Sequence, residues 1–269
     1  NTCRSSALRV TIYFLAILPP FLETGYQKRL THQFIIDKVL VSRSLALNFV
    51  RKVWAIVAKD VVAEIHTREV VSAMLVFAVL ATLIFSFALD LRGDVARAAA
   101  PGILWATVAF AGTLGLSRSL AREQQAGCID GLLLAPMDRS VIFFGKAIGN
   151  LVFMVVVEML LLPLCAVLFD VPLLRAGVLI VMGLGTAGYA AIGTLLAGIA
   201  VNTRAREVML PILLLPLAVP VLIASVRAVS GLLEGGTWAE AGSWVGLLVA
   251  YDVIVVAVSM LVFGYVLEE

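Results

Sequence analysis

Six stretches of this chain are apolar over the length that a membrane helix needs. They run roughly Val70 to Leu89, Ala98 to Ser117, Ala147 to Phe169, Ala176 to Val201, Val208 to Val226 and Trp244 to Leu267. A hydrocarbon core takes about 20 mostly apolar helical residues per crossing, and backbone groups left unpaired there cost too much for irregular structure to span it. The expected fold is therefore all-α: a polytopic membrane protein with six transmembrane helices. Hydrophobic residues at 62% and charged residues at 14% exclude an ordinary water-soluble domain. The connecting segments are short and the last run ends close to Glu268-Glu269, so residues 51–269 are expected to form a single six-helix membrane domain without an attached enzyme.

The segment between the second and third runs, Arg118 to Lys146, has the opposite character. It is rich in charge, is broken by Gly127, Gly131 and Pro136, and cannot cross hydrocarbon. It must lie at or outside one membrane face. Counting Lys and Arg from Arg51 onward gives ten on the side of this segment: Arg51, Lys52, Lys59, Arg68, Arg118, Arg122, Arg139, Lys146, Arg204 and Arg206. The other side has four, Arg92, Arg97, Arg175 and Arg227. Positive charge stays cytoplasmic, so the Arg118 to Lys146 segment and both ends of the domain are expected in the cytoplasm.

Before the first run, Val53, Trp54, Val57, Val61 and Ile65 recur at helical spacing, with Lys59, Asp60, Glu64, Thr67 and Arg68 at other positions. That pattern predicts an N-terminal amphipathic helix in the interface plane, with Trp54 at headgroup level. Residues 1–50 show no sustained period, and the first methionine is Met74, inside the first run. They are read as a disordered or spurious leader. An anchor helix over Leu8 to Leu22 is the alternative, although Pro19-Pro20 interrupts it.

Several chemistries have no residues to carry them. Gly145-Lys146 is followed by Ala147 and is not the end of a phosphate-binding loop. His32 and His66 are the only histidines and neither lies in an apolar run, which leaves no intramembrane histidine for haem or metal. Cys3, Cys128 and Cys165 share no ligand-like spacing. No catalytic, cofactor-binding or metal-binding residues are assigned. Any energy-coupled work requires another subunit.

Within the runs, Glu158 and Asp252 are costly acids, each worth roughly 2.5–3.5 kcal/mol on insertion scales at the bilayer centre. They are read either as a transport or gating pair or as internally hydrogen-bonded packing residues. Gly183, Gly185, Gly188, Gly193 and Gly198 give the fourth run a small-residue face for close helix approach. Pro211, Pro216 and Pro220 free backbone carbonyls in the fifth and predict a kinked helix.

The order of motifs is specific. Glu123 to Ser140 reads EQQAGCIDGLLLAPMDRS and is followed by FGKAIGN at Phe144 to Asn150; VVSAMLVFAVL stands at Val70 to Leu80, IFSFAL at Ile84 to Leu89, LLLPLAVPVLI at Leu213 to Ile223, and FGYVLEE closes the chain from Phe263. From about Arg51 to the terminus the sequence resembles the haem exporter protein B (CcmB) family. Its members are the membrane permease subunit of the cytochrome c maturation ABC transporter. Cys128 stands where the family leads one to expect Ala or Thr, and the leader has no family counterpart.

The resemblance implies an ABC-2 type exporter permease in the bacterial inner membrane, present as two copies. Its implied partners are an ABC ATPase subunit (CcmA-like) that binds the ATP, a haem-handling membrane protein (CcmC-like), a small membrane subunit (CcmD-like) and a periplasmic haem chaperone (CcmE-like). Haem is handled by the complex, and no cofactor is assigned to this chain. A short helix around Arg118 to Ala126, stopping near Gly127 and followed by the Leu132-Leu133-Leu134 ridge and Pro136, has the form of a coupling helix for a cleft on the ATPase. Glu123, Asp130 and Arg139 supply the charged rim that sets register, and Arg122 and Asp138 belong to the same docking segment. A generic drug or polysaccharide export permease of the same architecture is the second reading. A stand-alone secondary transporter is the third, and it requires an internal repeat that the sequence does not display.

Overall fold

The computed structural model describes residues 49–88, 94–125, 138–200, 206–235 and 238–266. The chain divides between Val50 and Arg51, and the architecture below is that of the part from Arg51 onward. All but the last two residues of the expected leader lie outside the described residues. Seven helices and no strand occur among the described residues: α1 (residues 49–67), α2 (Glu69–Ala88), α3 (Asp94–Gln125), α4 (Arg139–Phe169), α5 (Ala176–Ala200), α6 (Arg206–Leu233) and α7 (Trp238–Val266). Six of them are long and apolar enough to cross a membrane, α2 through α7. The fold is that of a polytopic membrane permease.

Neighbouring spans run antiparallel, as short connections require. Met74 of α2 meets Gly115 of α3 while Phe77, one turn later, meets Phe110, one turn and more earlier. Asn150 and Glu158 of α4 bond Thr194 and Thr186 of α5: eight residues forward on one helix, eight back on the other. The spans of α3 and α5 are 72% buried over their apolar windows, against 22% for α2 and 17% for α7. The bundle is thus built around α3 and α5, which carry more small and polar residues because their neighbours are helices rather than lipid. Trp105, Leu104 and Leu116 of α3 and Tyr189 and Met182 of α5 are among its fully buried side chains.

Two boundaries differ from the sequence reading. The helix α3 does not end near Ser117 with a separate short helix after it. It continues unbroken to Gln125, because Leu120, Ala121, Arg122, Glu123, Gln124 and Gln125 all favour helix. Similarly, α4 begins at Arg139 rather than near Ala147. Its 31 residues span roughly 46 Å at 1.5 Å per residue, well beyond a ~30 Å hydrocarbon core, so its first turns project past the apolar layer.

The three prolines expected to kink the fifth span lie inside α6, which is helical throughout from Arg206 to Leu233. Pro216 and Pro220 face outward and Pro211 is half-buried. Near them the Tyr251 hydroxyl of α7 donates to the Leu217 carbonyl at 2.9 Å, which ties the proline segment to its neighbour.

Candidate functional site

The charged end of the bundle is organised by α1 and the projecting start of α4. Ile56 of α1 lies directly over Gly145, where an added Cβ would sit 2.7 Å from its Cγ2. One turn along, Lys146 Nζ donates to Asp60 Oδ2 at 2.7 Å, with the lysine side chain 5% and the aspartate 11% exposed. Lys59 adds a contact to the other oxygen of Asp60 at 3.2 Å. An ion pair this far from water breaks even only with good geometry, and the flat patch at Gly145 and Gly149 is what lets α1 approach closely enough to make it.

The chain then turns from α1 into α2 at Arg68, which takes the left-handed conformation at φ 52°. Glu64, itself 6% exposed, reaches across the turn. Its Oε1 accepts the backbone N–H groups of Val70 at 2.8 Å and Val71 at 2.9 Å. Two of the orphan donors at the start of α2 are satisfied by this carboxylate, and its charge complements the helix N-terminus.

These contacts alter the reading of α1. The sequence pattern puts Asp60 and Glu64 off the apolar stripe, but both face the protein beside Val53, Ile56 and Val57, while Trp54, Val62 and Ile65 are 68%, 54% and 61% exposed. The reason is that each acid has a specific partner, Lys146 or the α2 backbone, and neither is a sequence neighbour. The outward apolar side with Lys52 and Lys59 flanking it remains the face that suits a membrane interface.

Of the residues assigned to ATPase docking, Arg122 and Glu123 fall in the last turn of α3. Gly127, Asp130, Leu132, Leu133 and Pro136 lie outside the described residues. Asp138 is the exposed N-cap of α4, in extended conformation at φ −66° and ψ 136°, and Arg139 opens the helix. Lys146 follows Arg139 by two turns, so the start of α4 runs directly into the α1 contact.

The two intramembrane acids are held apart. Glu158 is buried on α4 and accepts a hydrogen bond from the Thr186 hydroxyl of α5. Asp252 of α7 packs its Oδ1 against Gly188, two residues further along α5. Two helical residues are about 200° of rotation apart, so the acids approach α5 from opposite sides. Asp252 Oδ1 has no hydrogen-bond partner among the described residues. On the same helix, Tyr189 donates to the Ala109 carbonyl of α3 at 2.7 Å and its hydroxyl lies 2.7 Å from that of Thr113.

The CcmB protein family matches this sequence over residues 51–268, from the first turn of α1 to two residues past the end of α7. The chain belongs to the CcmB family. It is 31% identical over 164 residues to heme exporter protein B of Rhodobacter capsulatus, a match covering 59% of this chain and 73% of that protein. It is 25% identical over 162 residues to heme exporter protein B of Pseudomonas aeruginosa, covering 60% and 73% respectively. The family match takes in α1 together with the six spans, so the Asp60, Glu64 and Lys146 contacts all fall inside it.

Proposed function

We propose that this chain is the membrane permease subunit of an ABC transporter serving c-type cytochrome assembly, in which a separate subunit hydrolyses ATP. The family match over residues 51–268 carries the reading, and the relatives' description as heme exporters supplies the substrate class. The ATPase docks on the segment joining α3 to α4, in the cytoplasm, through the apolar ridge at Leu132 and Leu133 with Arg122, Glu123, Asp130, Asp138 and Arg139 around it. Gly127 and Pro136 bound that element. Two copies of the permease serve two ATPase clefts. The work of the complex is export of haem or release of a haem-loaded periplasmic chaperone, and a haem-handling membrane protein and a small membrane subunit complete it.

The geometry of the charged end gives such docking a route inward. A displacement of the first turns of α4 acts on Lys146, and through its bond to Asp60 on α1. The Glu64 carboxylate then ties α1 to the start of α2. Rigid helices joined by buried polar contacts transmit motion in this manner without any residue of the chain doing chemistry.

The test is a double variant, Glu123→Lys with Leu133→Asp. Membrane insertion is expected to be unchanged while the ATPase no longer co-purifies. Co-purification at the unaltered level would overturn the docking assignment.

A further inference from the structure

At the end of the bundle away from α1, the starts of α3 and α5 and the ends of α4 and α6 border a half-open cavity of about 450 Å³. Asp170 lies 24 residues beyond Lys146 along the chain, which places this end roughly 36 Å from the α1 contact. The apolar spans terminate here at Val95, Phe169, Ala176 and Leu233, so the cavity opens at the depth of the opposite headgroup layer.

Its lining has two parts. Ala98 and Leu233 belong to the span ends, while Arg97, Arg175, Asp170 and Glu234 ring the mouth. Arg97 Nη2 is 3.5 Å from Asp170 Oδ2, a long contact between two exposed groups. Arg175 is turned toward the cavity's α6 wall, where its Nη1 donates to the Leu232 carbonyl at 3.3 Å. Asp170 is fixed in the left-handed conformation at φ 50°, closing α4 through its N–H to the Ala166 carbonyl.

We propose that this cavity binds the headgroup of a phospholipid carrying a primary ammonium, drawn from the leaflet away from α1. A lone anion would meet Asp170 and Glu234, and a lone cation would meet two guanidinium groups. A zwitterion satisfies both. The phosphodiester takes the guanidinium donors, each with five N–H groups of which the contacts above use few. The ammonium lies toward the carboxylates, and the glycerol end rests on Ala98 and Leu233. The volume falls within the about 300–1,000 Å³ of small-molecule sites. The inference does not depend on the haem-export reading.

The measurement is lipid retention by native mass spectrometry on the purified protein, with any subunits that accompany it, after exchange into equal amounts of phosphatidylethanolamine, phosphatidylcholine and phosphatidylglycerol. The ethanolamine lipid is expected to be retained about tenfold over either of the others, the effect of one or two charge-assisted hydrogen bonds. Asp170→Asn with Glu234→Gln should remove the discrimination against choline. Arg97→Gln with Arg175→Gln should remove retention altogether, with an unchanged unfolding midpoint as the check on folding. Equal retention of all three lipids by the unaltered protein, or preference for the glycerol lipid, overturns the proposal whatever the variants do. Glycerophosphoethanolamine binding as tightly as the lipid would assign the site to a soluble ligand and overturn it equally.

Discussion

A charged or polar side chain taken out of water is costly unless partners are aimed at it, and three positions in this chain have such partners, each of a different kind. Asp60 has Lys146, Glu64 has two backbone donors, and Glu158 has Thr186. Removing one partner costs more than removing both. Lys146→Met is expected to destabilise the protein by about 3 kcal/mol because it leaves the nearly buried Asp60 charge to the more exposed Lys59. Adding Asp60→Asn should recover most of that loss, read as unfolding midpoints in detergent. Equal losses in the single and double variants would show that the pair is not the source. Thr186→Val is likewise expected to cost about 1–3 kcal/mol by leaving Glu158 without its donor, while Glu158→Gln should cost less. The sequence makes Glu158 and Asp252 conspicuous because an acid in an apolar run is costly unless it faces protein or water. It gives no sign that Thr186 is the partner of one and Gly188 the neighbour of the other, because that pairing follows from how far α4 and α7 slide along α5.

Among the elements, α1 and α5 explain most of the arrangement. α1 is held on α4 by Gly145, whose hypothetical Cβ lies 2.8 Å from Ile56 Cβ itself. A clash with a Cβ cannot be relieved by a rotamer change, so Gly145→Ala must push α1 away. The expected result is a loss of about 1–3 kcal/mol together with faster proteolysis at Arg51 and Lys52. Unchanged proteolysis would mean that α1 is not seated there. The glycines of α5 were legible as packing positions, and four of the five do meet neighbours, but around several sides of the helix rather than on one face: Trp105 and Ser225 at Gly185, Asp252 at Gly188, Leu116 at Gly193 and Phe263 at Gly198. Gly183 meets nothing within 4 Å, because its position on the helix turns it away from the partners. The burial of Asp60 and Glu64 was not legible. Periodicity sorts residues by polarity, and a polar residue bonded inward has the same signature as one facing water.

For the whole molecule, six runs of the right length were enough to give the number and type of spans, since hydrocarbon leaves the backbone no alternative to helix at that length. The order of motifs from Val70 to the terminus carried the family, and the match over residues 51–268 agrees with it. The exact limits of α3 and α4 were less accessible. Both extend beyond the apolar layer, where helix propensity and contacts with α1 decide the end, not hydrophobicity. The extension of α4 joins it to α1 through Lys146 and Asp60, and Glu64 joins α1 to the start of α2. The central claim is that this structure receives force from a separate ATPase on behalf of haem handling. Its most direct test is a detergent pull-down of the full chain with the candidate ATPase and haem-handling membrane protein, assayed for ATP hydrolysis and for release of haem-loaded chaperone. The account requires that both partners co-purify and that release depends on ATP; a chain that purifies alone, with hydrolysis and release unaffected by its presence, would contradict it.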